Sequence, residues 1–193
     1  PGPPSNLASP CPEPPPPGTG YSSAHPEFFL MPRPTLLVDP ADYPLDKVLL
    51  DQEGCKGLIP QRFEFLQVTS VLASLAEENI IVVHRHLDDD EFWVRGHIPG
   101  RPVLPGVLMV ESMAQVAALQ SRIQYDSDTD KFIGFGGVDR IRFRSMVVPG
   151  DDILIVGHMK KHDNNRGFLR WEGQIMKTDG ALVADGEIVG KTI

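Results

Sequence analysis

Residues 95–115 read Arg-Gly-His-Ile-Pro-Gly-Arg-Pro-Val-Leu-Pro-Gly-Val-Leu-Met-Val-Glu-Ser-Met-Ala-Gln, and two structural regimes meet in that stretch. In its first half Gly96, Gly100 and Gly106 alternate with Pro99, Pro102 and Pro105 around a single histidine, His97. Glycine admits backbone angles closed to other residues, whereas proline fixes its own φ and lacks a donor. The product is a stiff connector with little freedom to lose on binding, suited to aiming a catalytic group. Pro105-Gly106 then leads into a helix whose first N–H groups have no intrahelical partner. Gly106 is therefore a candidate for polarising a carbonyl oxygen.

The second half is apolar on nearly every face. Val107, Leu108, Met109, Val110, Met113, Ala114, Val116, Ala117, Ala118, Leu119 and Ile123 leave no polar stripe, which predicts a helix over 107–123 buried in a core. It is slightly short for a membrane span, and Glu111 and Gln115 argue further against insertion. Those two residues stand four apart and share a face, where the amide can orient the acid. A carboxyl group in such a setting is costly unless something uses it. The residues alone leave plainer readings open. His97 fits a surface or hydrogen-bonded loop residue, and Glu111 fits the partner of an arginine such as Arg142 in a structural ion pair.

Outward from this stretch, residues 1–40 are Pro-rich, with Pro14 to Pro17 in a row. Few of their groups can build a core, so an extended or disordered N-terminal extension is expected ahead of one domain, 41–193. The extension lacks the charged and apolar regions of a signal peptide, and Met31 is a candidate translational start. A short amphipathic helix is predicted over 46–51, with Leu45, Val48 and Leu49 inward. Strands are predicted over 63–76, 79–87, 132–145, 152–162, 167–178 and 181–189, with turn residues such as Pro149-Gly150-Asp151 and Asp179-Gly180 between them. Ile81, Val82 and Val83 form a β-branched run suited to a strand buried on both faces. One helix among six strands is an α+β arrangement.

Charge and composition narrow the function. Residues 1–90 hold 5 Lys/Arg against 13 Asp/Glu, and residues 91–193 hold 13 against 13, giving the overall −8. That acidity, without exposed-aromatic motifs, disfavours nucleic acid as a partner. Only Cys11 and Cys55 are present, so no disulfide framework is expected and a reducing cytoplasm fits. No Cys/His cluster has metal-ligand spacing. His84 and His86 alternate on one strand and read as solvent-facing or core histidines before they read as ligands. The glycines from Gly134 to Gly137 lie inside a strand-like run, so they do not form a phosphate loop. Arg140, Arg142 and Arg144 at period two are expected to share a strand face, with Lys160, Lys161, Arg166 and Arg170 near an adjacent turn. A solvated polar face is the default for such a run.

The segment Gly96-His97-Ile98-Pro99-Gly100-Arg101-Pro102-Val103-Leu104-Pro105-Gly106-Val107-Leu108, with Glu111-Ser112-Met113-Ala114-Gln115 behind it, resembles the signature of the FabZ-type β-hydroxyacyl-acyl-carrier-protein dehydratases. The likeness continues through Phe135-Gly136-Gly137-Val138-Asp139, Arg142-Phe143 and Val148-Pro149-Gly150-Asp151. An upstream echo sits at Ile59-Pro60-Gln61-Arg62-Phe63 and Phe65-Leu66, so the resemblance spans roughly 58–190. The isomerising FabA-type relatives carry an aspartate and a nearby tryptophan in the helix, where this chain has Glu111 and Ala114.

The resemblance implies a hotdog fold, an antiparallel six-stranded sheet wrapped around a central helix. It implies dehydration of (3R)-3-hydroxyacyl-acyl-carrier-protein to the trans-2-enoyl product, in fatty acid or lipid A biosynthesis. Neutral His97 would take the proton beside the thioester carbonyl. Glu111, keeping its proton in an apolar surround, would protonate the departing hydroxyl, and the Gly106 amide would hold the carbonyl oxygen. Val107, Met109, Met113, Gln115 and Phe135 join Gly106 as the expected substrate-binding set, the flexible methionines suiting an acyl channel.

Acyl carrier protein is the implied partner, and the basic residues of the C-terminal half are its candidate docking patch. The implied assembly is a homodimer or a trimer of such dimers, with His97 of one protomer meeting Glu111 of the other. No metal or separate cofactor is implied, because 4′-phosphopantetheine arrives with the substrate. Gly134 stands where the family often has a tunnel-gating tyrosine, which implies a more open mouth with Phe132 or Phe135 standing in. Two competing readings remain: a hotdog acyl-thioesterase, which also uses an acid on the central helix, and a non-catalytic acyl-carrier-binding hotdog protein.

Overall fold

A β-branched strand with no polar face must be covered on both sides, and the chain supplies a different cover for each. The computed structural model describes residues 34–125, 131 and 133–192. The Pro-rich run, Met31, the loop 126–130 and Phe132 lie outside the described residues. The strands are β1 (Ser70–Leu75), β2 (Ile80–His86), β3 (Ile133–Phe143), β4 (Asp152–Asp163), β5 (Phe168–Lys177) and β6 (Leu182–Thr192). They form one sheet in the order β1-β2-β4-β5-β6-β3, antiparallel at every pairing. Two helices accompany them, α1 (Gln52–Leu58) and α2 (Gly106–Tyr125). Helix α2 packs against all six strands, which requires the sheet to curl around it. This is the α+β hotdog fold, with the central helix two residues longer at its C-terminal end than the apolar run indicates.

On the inner face Ile81 and Val83 meet Met109, Met113, Val116 and Leu119 of α2. On the outer face Ile80 and Val82 join Leu72, Leu154, Val156 and Met176 beneath Leu36, Leu37, Val38, Tyr43 and Leu45. The Gln174 carboxamide fastens this outer layer, donating to the Thr35 carbonyl at 2.9 Å and accepting from the Leu37 N–H at 2.9 Å. Packed chain thus begins within the stretch that composition groups with the extension.

Two predicted elements differ from the observed ones. The helix predicted over 46–51 forms instead at 52–58, because the Asp51 side chain accepts from the Gly54 N–H at 2.8 Å and caps it there. Residues 63–69 are no strand. A 3-10 turn at Phe63–Phe65, with Phe63 at φ 54°, bends the chain before β1 begins at Ser70. The arginine run also departs from a simple period of two. Arg140 sits at φ 54° in a bulge between Asp139 and Arg142, and Ile141 packs against Gly186.

A close approach between helix and sheet depends on two glycines. Gly157 and Gly173 are cross-strand partners, and the fully buried Trp171 indole lies over both. Its Nε1–H donates to Gln120 Oε1 of α2 at 2.7 Å. A Cβ at Gly157 would overlap the indole ring. Gly157→Ala should therefore lower stability by about 1–3 kcal/mol; urea denaturation showing an unchanged midpoint would refute the close packing.

At the open end of the outer face, His84 Nε2 and His86 Nδ1 both bond Asp152 Oδ1, at 2.7 and 2.9 Å. Burial raises the Asp152 carboxyl pKa, but these two bonds outweigh burial and hold it below the ordinary carboxylate value. A folded-state pKa below the unfolded one stabilises at neutral pH; that contribution is fully present above the unfolded carboxyl value of about 4 and is lost as the pH falls below it through the depressed folded value. Asp152→Asn should flatten the acid limb of the stability profile. An acid limb as steep as that of the parent protein would count against the assignment.

Candidate active site

The loop carrying His97 is tied to the core by a buried charge. Arg85 stands in β2, 3 % exposed, with Nη2 2.9 and 2.7 Å from the two Glu91 carboxylate oxygens and Nη1 3.1 Å from Ser112 Oγ of α2. Burial lowers the guanidinium pKa and Glu91 opposes it. Trp93 Nε1–H donates to the same carboxylate at 2.7 Å, and the Trp93 carbonyl accepts from the His97 N–H at 2.9 Å. Strand, helix and loop thus converge just before the histidine. Sequence reasoning missed this cluster, whose one signal is an arginine directly after a β-branched run and between two histidines.

His97 itself is exposed. Its Nδ1 lies 2.9 Å from the Val103 carbonyl oxygen, which can only accept, so Nδ1 carries the proton. In the neutral ring Nε2 then carries the lone pair, the tautomer a general base needs. Helix α2 begins nine residues later. The Pro105 carbonyl takes the Leu108 N–H at 2.9 Å, while the Gly106 and Val107 N–H groups find no acceptor among the described residues. A Cβ at Gly106 would sit 2.9 Å from the Phe143 ring, so glycine is what lets that ring lie against the helix start. The Val107 side chain points outward, 76 % exposed.

Glu111 is half-buried, and one carboxylate oxygen accepts from Gln115 Nε2 at 2.8 Å. Gln115, 1 % exposed, is fully engaged: the same Nε2 donates to the Phe65 carbonyl at 2.6 Å, and its Oε1 accepts from the Gln67 N–H at 2.9 Å. The amide therefore ties the acid to the segment ahead of β1. Arg142 is not its partner; that guanidinium bonds the Ile141 carbonyl.

The acid faces a cleft of about 130 Å³ between α2 and the sheet. Ala114, Ala117, Ala118 and Arg122 line it from the helix, Ile133, Gly134 and Phe135 from β3, and Leu169, Ile188, Val189 and Gly190 from β5 and β6. Leu58, Ile59, Pro60 and Gln61 close a further side, and sequence reasoning did not anticipate that wall. Met109 and Met113, expected along the channel, are buried in the core instead. Helix geometry explains it: residues two apart lie roughly 200° apart around the axis, so Met109 and Met113 face away from Glu111. Glu111 lines this cleft and His97 does not.

The basic run is largely neutralised. Arg140 pairs with Glu187, Arg144 with Asp185, Arg170 with Asp139 and Glu187, and Lys160 with Glu172. Among the described residues no group of three His, Cys, Asp or Glu is arranged to hold a metal ion, and no helix is long and apolar enough to cross a membrane.

A sheet curled around a helix, with a carboxyl on that helix at an apolar cleft, defines the molecule as a hotdog protein. A FabA-like domain model matches residues 59–192, and the chain belongs to that family. It is 38 % identical over 146 residues to the 3-hydroxyacyl-acyl-carrier-protein dehydratase FabZ of Syntrophomonas wolfei, covering 75 % of this chain and 97 % of that protein. The Xanthomonas euvesicatoria protein of the same name is 33 % identical over 141 residues, covering 72 % and 91 %. Among solved structures, the dehydratase heterocomplex ApeI:P from Xenorhabdus doucetiae aligns with a TM-score of 0.60 at 17 % identity, over 72 % of this chain and 90 % of that one. A mutant thioesterase from Pseudomonas aeruginosa aligns with a TM-score of 0.56 at 14 % identity, over 75 % and 95 %.

The Gln115 anchor is open to a direct test. Gln115→Leu leaves the Phe65 carbonyl and Gln67 N–H without buried partners, which should cost about 1–3 kcal/mol and free the Glu111 carboxylate. Thermal unfolding at parent values would show the tie to be dispensable.

Proposed function

We propose that this chain is a FabZ-type dehydratase that removes water from 3-hydroxyacyl-acyl-carrier-protein to give the trans-2-enoyl thioester, as a step of fatty acid biosynthesis. The observation that carries the reading is Glu111, held by Gln115 at an apolar cleft, within a chain aligned along 97 % of a FabZ relative. His97 Nε2 takes the proton from the carbon beside the carbonyl. Glu111 delivers a proton to the 3-hydroxyl, which leaves as water, and the free N–H groups at Gly106 and Val107 meet the thioester oxygen as charge develops there. The competing thioesterase reading shares the helix acid but gives the imidazole no role.

Base and acid come from different protomers of a homodimer in this reading. Support comes from β3, an edge strand with Phe135, Val138 and Phe143 exposed. Exposed Val107 and Met146 extend the apolar character beyond the strand. A long edge strand with exposed apolar side chains among its charges can pair with a second copy. An acidic carrier protein delivers the substrate, and the two-cysteine composition with a free, buried Cys55 fits a cytoplasmic setting.

Incubation with 3-hydroxyacyl carriers should give enoyl product without release of free thiol; thiol release with no enoyl product would favour the thioesterase. His97→Ala and Glu111→Gln should each lower turnover by about 100- to 10,000-fold. Mixed dimers of the two variants should regain activity that neither homodimer has, since one of their two sites is then intact. Mixed dimers as inactive as both parents would place the pair within one chain or dissolve it.

A further inference from the structure

We propose that Arg122 closes the far end of the acyl cleft and confines this dehydratase to short and medium chains. The inference rests on the dehydratase reading and names the substrate class of the same site. Glu111, Ala114, Ala118 and Arg122 fall at i, i+3, i+7 and i+11, one stripe along α2, and all four line the cleft. Eleven residues of helix carry that stripe over roughly 16 Å, with the acid at one end and the guanidinium at the other.

The sheet side gives the same direction independently. Arg122 Nη2 donates to the Lys131 carbonyl, two residues ahead of Ile133, where β3 begins. The guanidinium is thereby held at the start of β3. Between the two ends the wall is small or apolar: three alanines from the helix, Gly134 and Gly190 from the strands, and Leu169, Ile188 and Val189. A straight alkyl chain fits such a slot until it meets Arg122. Pushing a methyl terminus past that point strips water and hydrogen-bond partners from a charged group with nothing returned.

The experiment compares kcat/KM for straight 3-hydroxyacyl carriers of six, ten and sixteen carbons, using the full chain. The parent enzyme should fall off steeply toward sixteen carbons. Arg122→Met, which keeps the length of the stem and removes the charge, should raise the sixteen-to-six ratio at least about tenfold. Arg122→Lys should keep the parent profile. A ratio unmoved in Arg122→Met, or moved equally in Arg122→Lys, overturns the proposal. Should Arg122→Met fail to fold, Ala118→Leu tests the slot from the other side. It should cut activity on ten carbons relative to six, and an unchanged ratio there overturns the proposal too. Dehydration by the parent enzyme at six carbons keeps the outcomes separate: its absence at every length defeats the dehydratase reading, whereas its presence with unmoved ratios defeats only the role of Arg122.

Discussion

Helix α2 is held inside the sheet by hydrogen bonds as much as by apolar contact, and the position of Glu111 depends on them. Ser112 meets Arg85 of β2, Gln115 meets the backbone at Phe65 and Gln67, and Gln120 meets Trp171 of β5 and the Asn79 carbonyl. Ser121 meets His162 of β4, and Gln124 meets the Ile80 carbonyl and Ser74 of β1. A greasy helix alone could slide or rotate at little cost, because apolar contact is non-directional. A buried amide left without its partner is costly, so each of these pegs admits one register. Glu111 inherits that register through the peptide backbone and through Gln115.

The same constraint explains which parts of the molecule were legible in the amino-acid sequence. Helix α2 and the four C-terminal strands announce themselves through local pattern and turn residues, and their observed limits differ from the predicted ones by only a few positions. Hydrogen bonds made over long sequence separations leave no such trace. Arg85 reads as an oddity in a strand until Glu91, Ser112 and Trp93 are seen around it. Residues 63–69 have strand-like composition, yet the Gln115 carboxamide holds the backbone at Phe65 and Gln67 and β1 starts only at Ser70. The helix expected at 46–51 yielded to a capping aspartate at its end, with Leu45 drawn to the outer face and Leu49 bonding the Val71 carbonyl.

At the site, unusual residues were easier to pick out than the lining of the cleft. His97 and Glu111 stand out because a rigid loop and an apolar helix are unusual places for them. The cleft-lining residues do not, because lining depends on the angle around the helix. Met109 and Met113 have the right chemistry for a channel and the wrong azimuth, whereas Ala114 and Ala118 have an unremarkable chemistry and the right one. Counting 100° per residue from Glu111 separates the two sets without coordinates.

That angular division assigns two tasks to one helix. The face bearing Met109, Ser112, Met113, Val116 and Gln120 is buried and pinned, and it sets where the helix lies. The stripe bearing Glu111, Ala114, Ala118 and Arg122 is only half-buried, and its groups bound a cavity where tight packing is not required. Changes on the first face act on stability, because cores register the loss or gain of a single methylene. Changes on the second act first on what the cleft can hold. What this cleft can hold is therefore set along one stripe of side chains, apart from the pegs that keep Glu111 in place.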